Sequence, residues 1–494
     1  MGTRAAIAIG LALYVVLTTL VSFWWMKRVR KPADYLVAGR GLPYWVLTGT
    51  IIGTCIGTGV IIGGSGLAYK HGWAGCAYPI GLGLGTLIAG VLFAGMRRYK
   101  FMTLSEEIAC YYPGGRLVVE FSNISLFLSQ LCWLTVQIMG GAAVVGAVTG
   151  LPRETCTVLA GFAKAAISIP GGLKAVVYTD VLQTIILFIG FGCLMHSALS
   201  GTGLAAVRAA VLANYLSLLG IDSFDSFGAW NVFGLILLLV LNPIADPGRR
   251  LTMYSAGSEA SARWSMVTSG IVVIIFSVAI GITGMYTFQL NPTIPDANVD
   301  EALPWLVMNV LPPWLAALVV VAVVSGMSSA ANGNAAAVGT FFVRHIFPLV
   351  TGRYPQQPVV VARRALAFGF VFSTALALFM KNIVGFVVKF LPLTMSGLAV
   401  IILLGRFWKR ATWQGALAAL ITTPFVSLAV MNSWSNPTVP ATLAGALALV
   451  VGSLLTPRDP RPFAEVAESM ARERSAIEGE SHPAAHAPVQ HTLV

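Results

Sequence analysis

Long apolar stretches recur along nearly the whole chain, and short polar loops separate them. An α-helix of about 20 residues crosses the hydrocarbon core of a bilayer and satisfies its own backbone hydrogen bonds there. We predict thirteen membrane-spanning helices, at residues 5–25, 42–67, 73–95, 121–147, 154–170, 174–198, 228–246, 264–290, 312–341, 363–380, 383–405, 412–431 and 437–456. The chain is therefore expected to be an all-α polytopic membrane protein with a transmembrane domain over residues 1–456.

The charged residues are few and unevenly placed. They make up 10% of the chain, whereas a soluble domain has roughly 25%. The net charge of +12 does not indicate nucleic-acid binding, because the basic residues form short clusters between the apolar stretches. If the loop after the first span is cytoplasmic, the outside segments hold five Lys and Arg residues: Arg4, Lys70, Arg153, Arg208 and Lys381. Most of the others are then inside, so the N-terminus is predicted outside and the C-terminus in the cytoplasm.

Several classes of protein are disfavoured by what the chain lacks. The six cysteines lie in or beside apolar stretches without a CxxC pair, so we expect packed thiols rather than disulfides or metal ligands. No HExxH motif, phosphate-binding loop or nucleophile with a base at a usable spacing is present, so we expect neither an enzyme nor a cofactor. Residues 457–494 are rich in Pro, Glu, Arg, Ala and His, and a disordered cytoplasmic tail is predicted there.

The stretch from Gly49 to Gly66 contains seven glycines among eighteen residues. Each glycine costs roughly 0.5 to 1 kcal/mol of helix stability relative to alanine, so this is a poor ordinary helix. Gly49, Gly53 and Gly57 recur every fourth residue and could let another helix approach closely, which spacing alone favours. Alternatively, the backbone unwinds near Gly57–Gly59 and offers carbonyls to an ion, which requires that the chain line a cavity.

Two further apolar stretches contain features that a plain span does not need. Leu239–Arg250 contains two prolines and a glycine, which end or kink a helix. Two broken helices, half a protein apart, are typical of a secondary transporter with inverted repeats and a site between the breaks. The stretch Val323–Phe347 carries hydroxyls and amides at Ser325, Ser328, Ser329, Asn332 and Asn334. These groups could bond neighbouring helices or supply oxygens to a hard cation such as sodium.

Few ionisable residues lie inside the predicted spans, and two of them are functional candidates for that reason. Asp180 is about one turn into the sixth span, and Lys164 is in the fifth. A Pro-Gly-Gly turn joins the two antiparallel spans, so the pair could lie at similar depth. A structural salt bridge and a role in ion coupling both remain open.

Three stretches resemble the sodium:solute symporter family in order and topology. They are KPADYLVAGRGLPYW after the first span, GGLKAVVYTDVLQ, and the serine-rich ninth span that ends in FFVRHIF. The resemblance covers about residues 5–455. It implies a LeuT-like core of five plus five inverted helices, with repeats at about 42–198 and 228–405. One helix precedes this core and two follow it, and sodium is expected to drive alternating access.

The resemblance also assigns ion-binding residues. The family's main sodium site would use the carbonyls of Gly53 and Ile56, with Asp180 serving a second site or tuning the first. In a gapless match, the ninth span supplies the Gly326 carbonyl and a hydroxyl at Ser329, whereas Ala330 stands where a second hydroxyl is expected. A register shifted by one uses Ser325, Ser328 and Ser329 instead, and both registers remain open. Asn332 is included as a further oxygen ligand.

The solute-binding candidates are Gly57, Thr58, Gly59, Trp133, Gln137 and Asp246. Trp133 could pack in the core or contact a cation. The expected solute is a small amino acid, carboxylate or related metabolite, carried inward across a bacterial inner membrane. Sodium, the solute and the lipid bilayer are the expected partners, and the protein is expected to be a monomer or weak oligomer. Lys164 near Asp180 leaves open a proton-coupled or sodium-independent carrier, and a transporter-like sensor module is another alternative.

Overall fold

The computed structural model describes residues 2–26, 31–170, 172–200, 227–294, 296–380, 382–433, 436–457 and 461–478. Its regular elements within these ranges are all helical. The α-helices are α1 Thr3–Met26, α2 Pro32–Val37, α3 Tyr44–Cys55, α4 Gly64–His71, α5 Ala77–Phe93, α6 Leu104–Tyr111, α7 Arg116–Thr149, α8 Arg153–Ser168, α9 Gly172–Leu199, α10 Ala229–Ala245, α11 Pro247–Tyr254, α12 Glu259–Leu290, α13 Ala302–Asn309, α14 Pro313–Phe341, α15 Phe347–Thr351, α16 Pro358–Phe379, α17 Ile383–Phe407, α18 Trp413–Val430, α19 Thr438–Leu455 and α20 Phe463–Glu478.

The helices confirm the predicted all-α membrane fold. Among the described residues, ten helices are long and apolar enough to cross a membrane, or eleven if the bent pair α10–α11 counts as one span. The predicted number of thirteen is compatible with this result and stays a prediction, because α3 has only 12 residues and α8 only 16. Arg208, Lys381 and residues 479–494 lie outside the described residues.

Helix α14 organises the centre of the bundle. It packs against α1, α3, α7 and α9. A Cβ atom at Gly190 of α9 would overlap Ala322 of α14, so these two helices touch along their backbones. In the same way, a Cβ at Gly83 of α5 would lie 2.7 Å from the Gly270 carbonyl of α12. Small residues thus give the dry helix contacts that a membrane bundle needs.

The prediction of a disordered tail is wrong for Phe463–Glu478, which form α20. Phe463, Val466, Ala467 and Met470 recur at helical spacing, and the last three are buried against the rest of the protein. The buried side chain of Arg474 continues the same stripe. This buried face of α20 could not be identified from the sequence, because its charged residue Arg474 pairs with Glu106, which is 368 positions away.

Candidate functional site

The structure interrupts the glycine-rich stretch between α3 and α4. Helix α3 ends at Cys55, Ile56 has non-helical dihedral angles of φ −87° and ψ 62°, and a π-helical turn at Gly59–Gly63 leads into α4. The break lies at Ile56 and Gly57, at the beginning of the interval predicted to unwind. The predicted break is therefore present, and the same stretch also makes close helix contacts, whereas ion binding by its carbonyls stays a prediction.

The broken end of α3 lies directly against α14. A Cβ at Gly53 would overlap the Ser329 hydroxyl, and one at Gly57 would lie 2.6 Å from the Ala330 methyl group. One turn earlier on α14, a Cβ at Gly326 would lie 2.6 Å from the Ile56 carbonyl oxygen. These contacts favour the gapless register, in which Ala330 stands at the position of the second hydroxyl.

Helix α9 adds a carboxylate and a hydroxyl to this contact. Asp180 is fully buried and accepts a hydrogen bond from the Thr50 hydroxyl of α3. One turn further along α9, Thr184 donates to the Gly49 carbonyl at 2.8 Å, and its hydroxyl oxygen would lie 2.6 Å from a Cβ at Gly53. Among the described residues, the Oδ1 atom of Asp180 and the Ser329 hydroxyl are buried without a well-formed hydrogen bond, although Ser329 is a close neighbour of the Asp180 carboxylate. The structure thus brings Gly53, Ile56, Gly326, Ser329 and Asp180 together.

The other candidate ion ligands have different surroundings. Asn332 is a neighbour of the Asp180 carboxylate, and its side-chain oxygen accepts a 2.6 Å hydrogen bond from Ser168 of α8. Ser328 is buried on α14. Lys164 is also buried, but its ammonium group has no hydrogen-bond partner among the described residues, so it does not form the salt bridge with Asp180 that the sequence left open. A Cβ at Gly141 of α7 would lie 3.2 Å from the Lys164 Cε atom.

Three of the solute-binding candidates meet around the break in α3. Gln137 of α7 accepts a 3.1 Å hydrogen bond from the Thr58 backbone N–H. Its amide would also lie 3.1 Å from a Cβ at Gly57. This bond satisfies a donor that the broken helix cannot satisfy internally, and it explains how the break is tolerated at membrane depth. Gly59 lies against the buried Tyr78 hydroxyl, which has no hydrogen-bond partner among the described residues.

Asp246 lies at the break between α10 and α11. Its carboxylate accepts a 3.0 Å hydrogen bond from the Arg249 backbone N–H and so caps α11. The Arg249 guanidinium forms a buried ion pair with the same carboxylate at 3.4 Å and also donates to the Asn242 side chain. Asp246 therefore has a structural role at the bend, with its charge compensated by its own segment.

Sequence reasoning missed Gln130. This residue is fully buried on α7, and neither polar atom of its side chain has a hydrogen-bond partner in the part of the chain that the structure describes. A Cβ at Gly248, in the second break, would lie 3.5 Å from its side-chain oxygen. The buried Trp133 indole N–H also has no hydrogen-bond partner within the described ranges. The spacing of Gln130, Trp133 and Gln137 places them on one face of α7, a pattern that could have identified this face from the sequence.

A cavity of about 840 Å³ lies at the end of the bundle where the chain begins. It reaches Met139, half a turn beyond Gln137 on α7, and exposed residues at its rim open it to solvent. Its polar lining includes Arg4, Arg153, Asp300, Glu301 and Asn309. Asp300 accepts a 2.9 Å hydrogen bond from the Ile383 N–H at the start of α17, and burial raises the pKa of its carboxyl to about 6.

Two interrupted helices that enclose buried polar groups, with a solvent cavity leading towards them, define a membrane transporter. The sodium:solute symporter family model matches residues 35–423, and the chain belongs to that family. It is therefore a transporter rather than an enzyme, as the sequence predicted.

Individual proteins agree with this assignment. The chain is 26% identical to the sodium/pantothenate symporter of Escherichia coli strain K12, over 90% of this chain and 96% of that one. It is 24% identical to the human high affinity choline transporter 1, over 85% of this chain and 76% of that one. The solved structure of a Na⁺-coupled sialic acid symporter in its substrate-bound outward-open state superimposes with a TM-score of 0.72 at 18% identity, covering 93% and 99% of the two chains. The last comparison confirms the LeuT-like fold.

Substituting Gly53 tests whether this close contact holds the site together. In Gly53→Ala the new methyl group would overlap Ser329 and lie 2.6 Å from the Thr184 hydroxyl. Overpacking of this kind costs about 1–3 kcal/mol, so the thermal unfolding temperature of the purified protein is expected to fall. Gly192→Ala on α9 is the matched control, because no atom lies within 4 Å of its added Cβ. Equal unfolding temperatures for the two variants would contradict the prediction.

Proposed function

We propose that this protein is a secondary active transporter that carries a small polar organic solute into the cell with sodium by alternating access. Sodium is the coupling ion, and no other cofactor takes part. The observation that carries the proposal is the oxygen cluster at the contact of α3, α9 and α14, in a chain that belongs to the sodium:solute symporter family. The solute is an amino acid, a carboxylate or a related metabolite.

The unsatisfied oxygens support a cation at this contact. A buried polar atom without a partner costs about 1–3 kcal/mol, and a buried carboxylate costs more. Asp180 and Ser329 each have such an atom and are neighbours of one another, and the Ser329 and Thr184 hydroxyls both face Gly53. A hard monovalent cation prefers carboxylate, hydroxyl and carbonyl oxygens, so sodium would satisfy these groups together.

The groups around the two breaks support a polar solute. Gln130 and Trp133 offer buried hydrogen-bonding atoms that have no partner among the residues the structure describes, and the Tyr78 hydroxyl offers another. A site that leaves polar atoms unpaired discriminates strongly for solutes that can pair with them. The Escherichia coli relative is named for pantothenate, which makes pantothenate the first carboxylate to examine.

Thermal unfolding of the purified protein tests this function. A solute at 100 times its dissociation constant stabilises the folded state by about 2.7 kcal/mol. We expect one member of a panel of amino acids and carboxylates, including pantothenate, to raise the unfolding temperature in sodium chloride but not in choline chloride. Uptake of that solute into liposomes should likewise require a sodium gradient. Equal stabilisation and uptake in the two salts would exclude sodium coupling.

One observation favours the alternative of proton coupling or sodium independence. Lys164 is a buried amine without a hydrogen-bond partner in the described part of the chain, and Ala330 occupies the second hydroxyl position of the gapless register. A buried lysine loses its proton readily and could exchange it during transport. Uptake in choline chloride that is driven by an inward proton gradient would support this alternative.

Two substitutions test the placement of the ion. Asp180→Asn removes the charge of one proposed ligand, and Ser329→Ala removes the hydroxyl of another. An interaction with a charged group contributes about 1.5–3 kcal/mol to the binding free energy. The sodium concentration for half-maximal uptake is therefore expected to rise at least about tenfold in both variants. Ser396→Ala is the matched control, since Ser396 is an equally buried serine without a hydrogen-bond partner on α17. Unchanged sodium dependence in both site variants would place the ion elsewhere.

We further propose that the protein lies in the bacterial inner membrane with its N-terminus outside and its C-terminus in the cytoplasm. Lys70 and Lys409 are exposed, and the positive-inside count puts them on opposite sides. In intact cells, a membrane-impermeant maleimide is expected to label Lys70→Cys strongly and Lys409→Cys only after permeabilisation. The unmodified protein gives the background from the native cysteines. The reverse pattern would invert the topology.

A further inference from the structure

The helix α20, called the tail helix below, lies against α6 and the end of α14. Arg474 of the tail helix is buried and donates to the Glu106 carboxylate of α6 at 2.8 Å. Arg344, just beyond α14, donates to the same carboxylate at 2.8 Å, and the Met102 N–H adds a third bond at 2.9 Å. Burial raises the pKa of Glu106, but the charges of Arg474 and Arg344 lower it to about 2. The carboxylate is therefore ionised at neutral pH and binds both arginines.

The tail helix also joins two separate parts of the bundle. On one side, Arg474 donates to the Tyr99 carbonyl at 3.2 Å, and the Phe463 ring packs edge-on against the Tyr99 ring at 4.9 Å. Tyr99 ends the segment that follows α5. On the other side, Glu473 accepts hydrogen bonds from Arg344 at 3.1 Å and from the Tyr354 hydroxyl at 2.9 Å. The tail helix thus connects the end of α5 to the end of α14.

A second buried ion pair closes the same end. Glu107, next to Glu106 on α6, is fully buried and pairs with the fully buried Arg250 of α11. Tyr254 of α11 and Tyr111 of α6 donate to the same carboxylate. Helix α7 has 34 residues. Helix α6 comes just before its first residue, and the solvent cavity lies beside the last turns of α7. About 50 Å separates the two ends of α7, so the ion network lies at the end opposite to the open cavity.

We infer that the tail helix holds this end of the transporter closed and that it must leave Glu106 before the end can open. In a transporter built from repeats, alternating access moves one group of helices against the other around the site. The contacts of the tail helix join α5 in the first predicted repeat to α14 in the second. The two helices cannot separate at this end while both sets of contacts persist. The tail helix therefore sets the balance between the closed state seen here and the state open at α6.

Arg474→Met tests this role in the full-length protein. The substitution removes the bond between the tail helix and Glu106 and leaves Glu106 paired with Arg344, so the fold retains a partner for the buried carboxylate. Arg472→Met is the matched control, because Arg472 lies on the same helix, is 67% exposed and forms a 2.8 Å ion pair with Glu468 one turn earlier.

Native cysteines report the opening. Cys110 of α6 is buried beside this network, and burial raises the pKa of its thiol, so it reacts slowly when the end is closed. Cys76 is also buried but lies just before α5, at the opposite end of that helix from Tyr99 and the tail helix. In Arg474→Met, the rate of maleimide modification at Cys110 is expected to rise about tenfold, with Cys76 unchanged. Cys110→Ala identifies the labelled site.

A thiol in the cavity distinguishes opening from local fraying of the tail helix. Ala143 of α7 is half-buried and lines the solvent cavity. In an Ala143→Cys background, Arg474→Met is expected to lower the labelling rate at position 143, because a shift to the state open at α6 closes the opposite end. Arg472→Met should change neither rate. A rise at Cys110 that Cys76 shares, a rise without a fall at position 143, or no change at Cys110 would each overturn the inference. None of these labelling rates depends on the identity of the solute or the ion.

Discussion

The contact between the broken end of α3 and the side of α14 constrains the rest of the structure. A Cβ at Gly53, Gly57 or Gly326 would lie within overlap distance of the facing helix. Only glycine permits this approach, so the two helices meet at the level of the break. An unsatisfied backbone group at membrane depth costs several kcal/mol. The break is therefore stable only because α7, α9 and α14 surround it and because Gln137 accepts the Thr58 N–H.

The same contact explains why polar groups gather there. Asp180 and Thr184 lie one turn apart on α9, so both face α3 and bond to it at Thr50 and Gly49. Ser329 lies on the opposite wall, provided by α14. Three helices that are distant in sequence thus converge on one small volume, and each contributes an oxygen. That convergence is what a binding site for a small cation requires, and a single kinked helix could not provide it.

Much of this arrangement was predictable because its causes are local. Glycine density, the prolines of Leu239–Arg250 and the serines of α14 each disturb a helix where they stand, so the breaks and the polar wall could be located from the sequence. The tail helix was missed for the opposite reason. Arg474 pairs with a residue 368 positions away, and in a sequence a buried charge with a distant partner looks the same as a solvated one. Gln130 was missed because a single amide in a span gives no signal by itself, although its spacing to Trp133 and Gln137 in the sequence could have revealed it.

Buried ion pairs of α6 hold together the end of the bundle that lies opposite to the cavity. Consecutive residues on a helix point about 100° apart, so Glu106 and Glu107 of the short helix α6 reach different partners. One binds Arg344 and Arg474, and the other binds Arg250. Removing one partner of a buried ion pair destabilises the protein by about 3–5 kcal/mol, because the other charge stays buried without compensation. When an end opens, however, water solvates both partners together, and the cost of separating them falls towards the small value of an exposed pair. Ion pairs at a closed end are therefore costly to separate while water is excluded and much less costly once water enters. Apolar side chains in their place would be exposed unfavourably to water in the open state. The closed end of this transporter is built for a transition between two states rather than for permanent sealing.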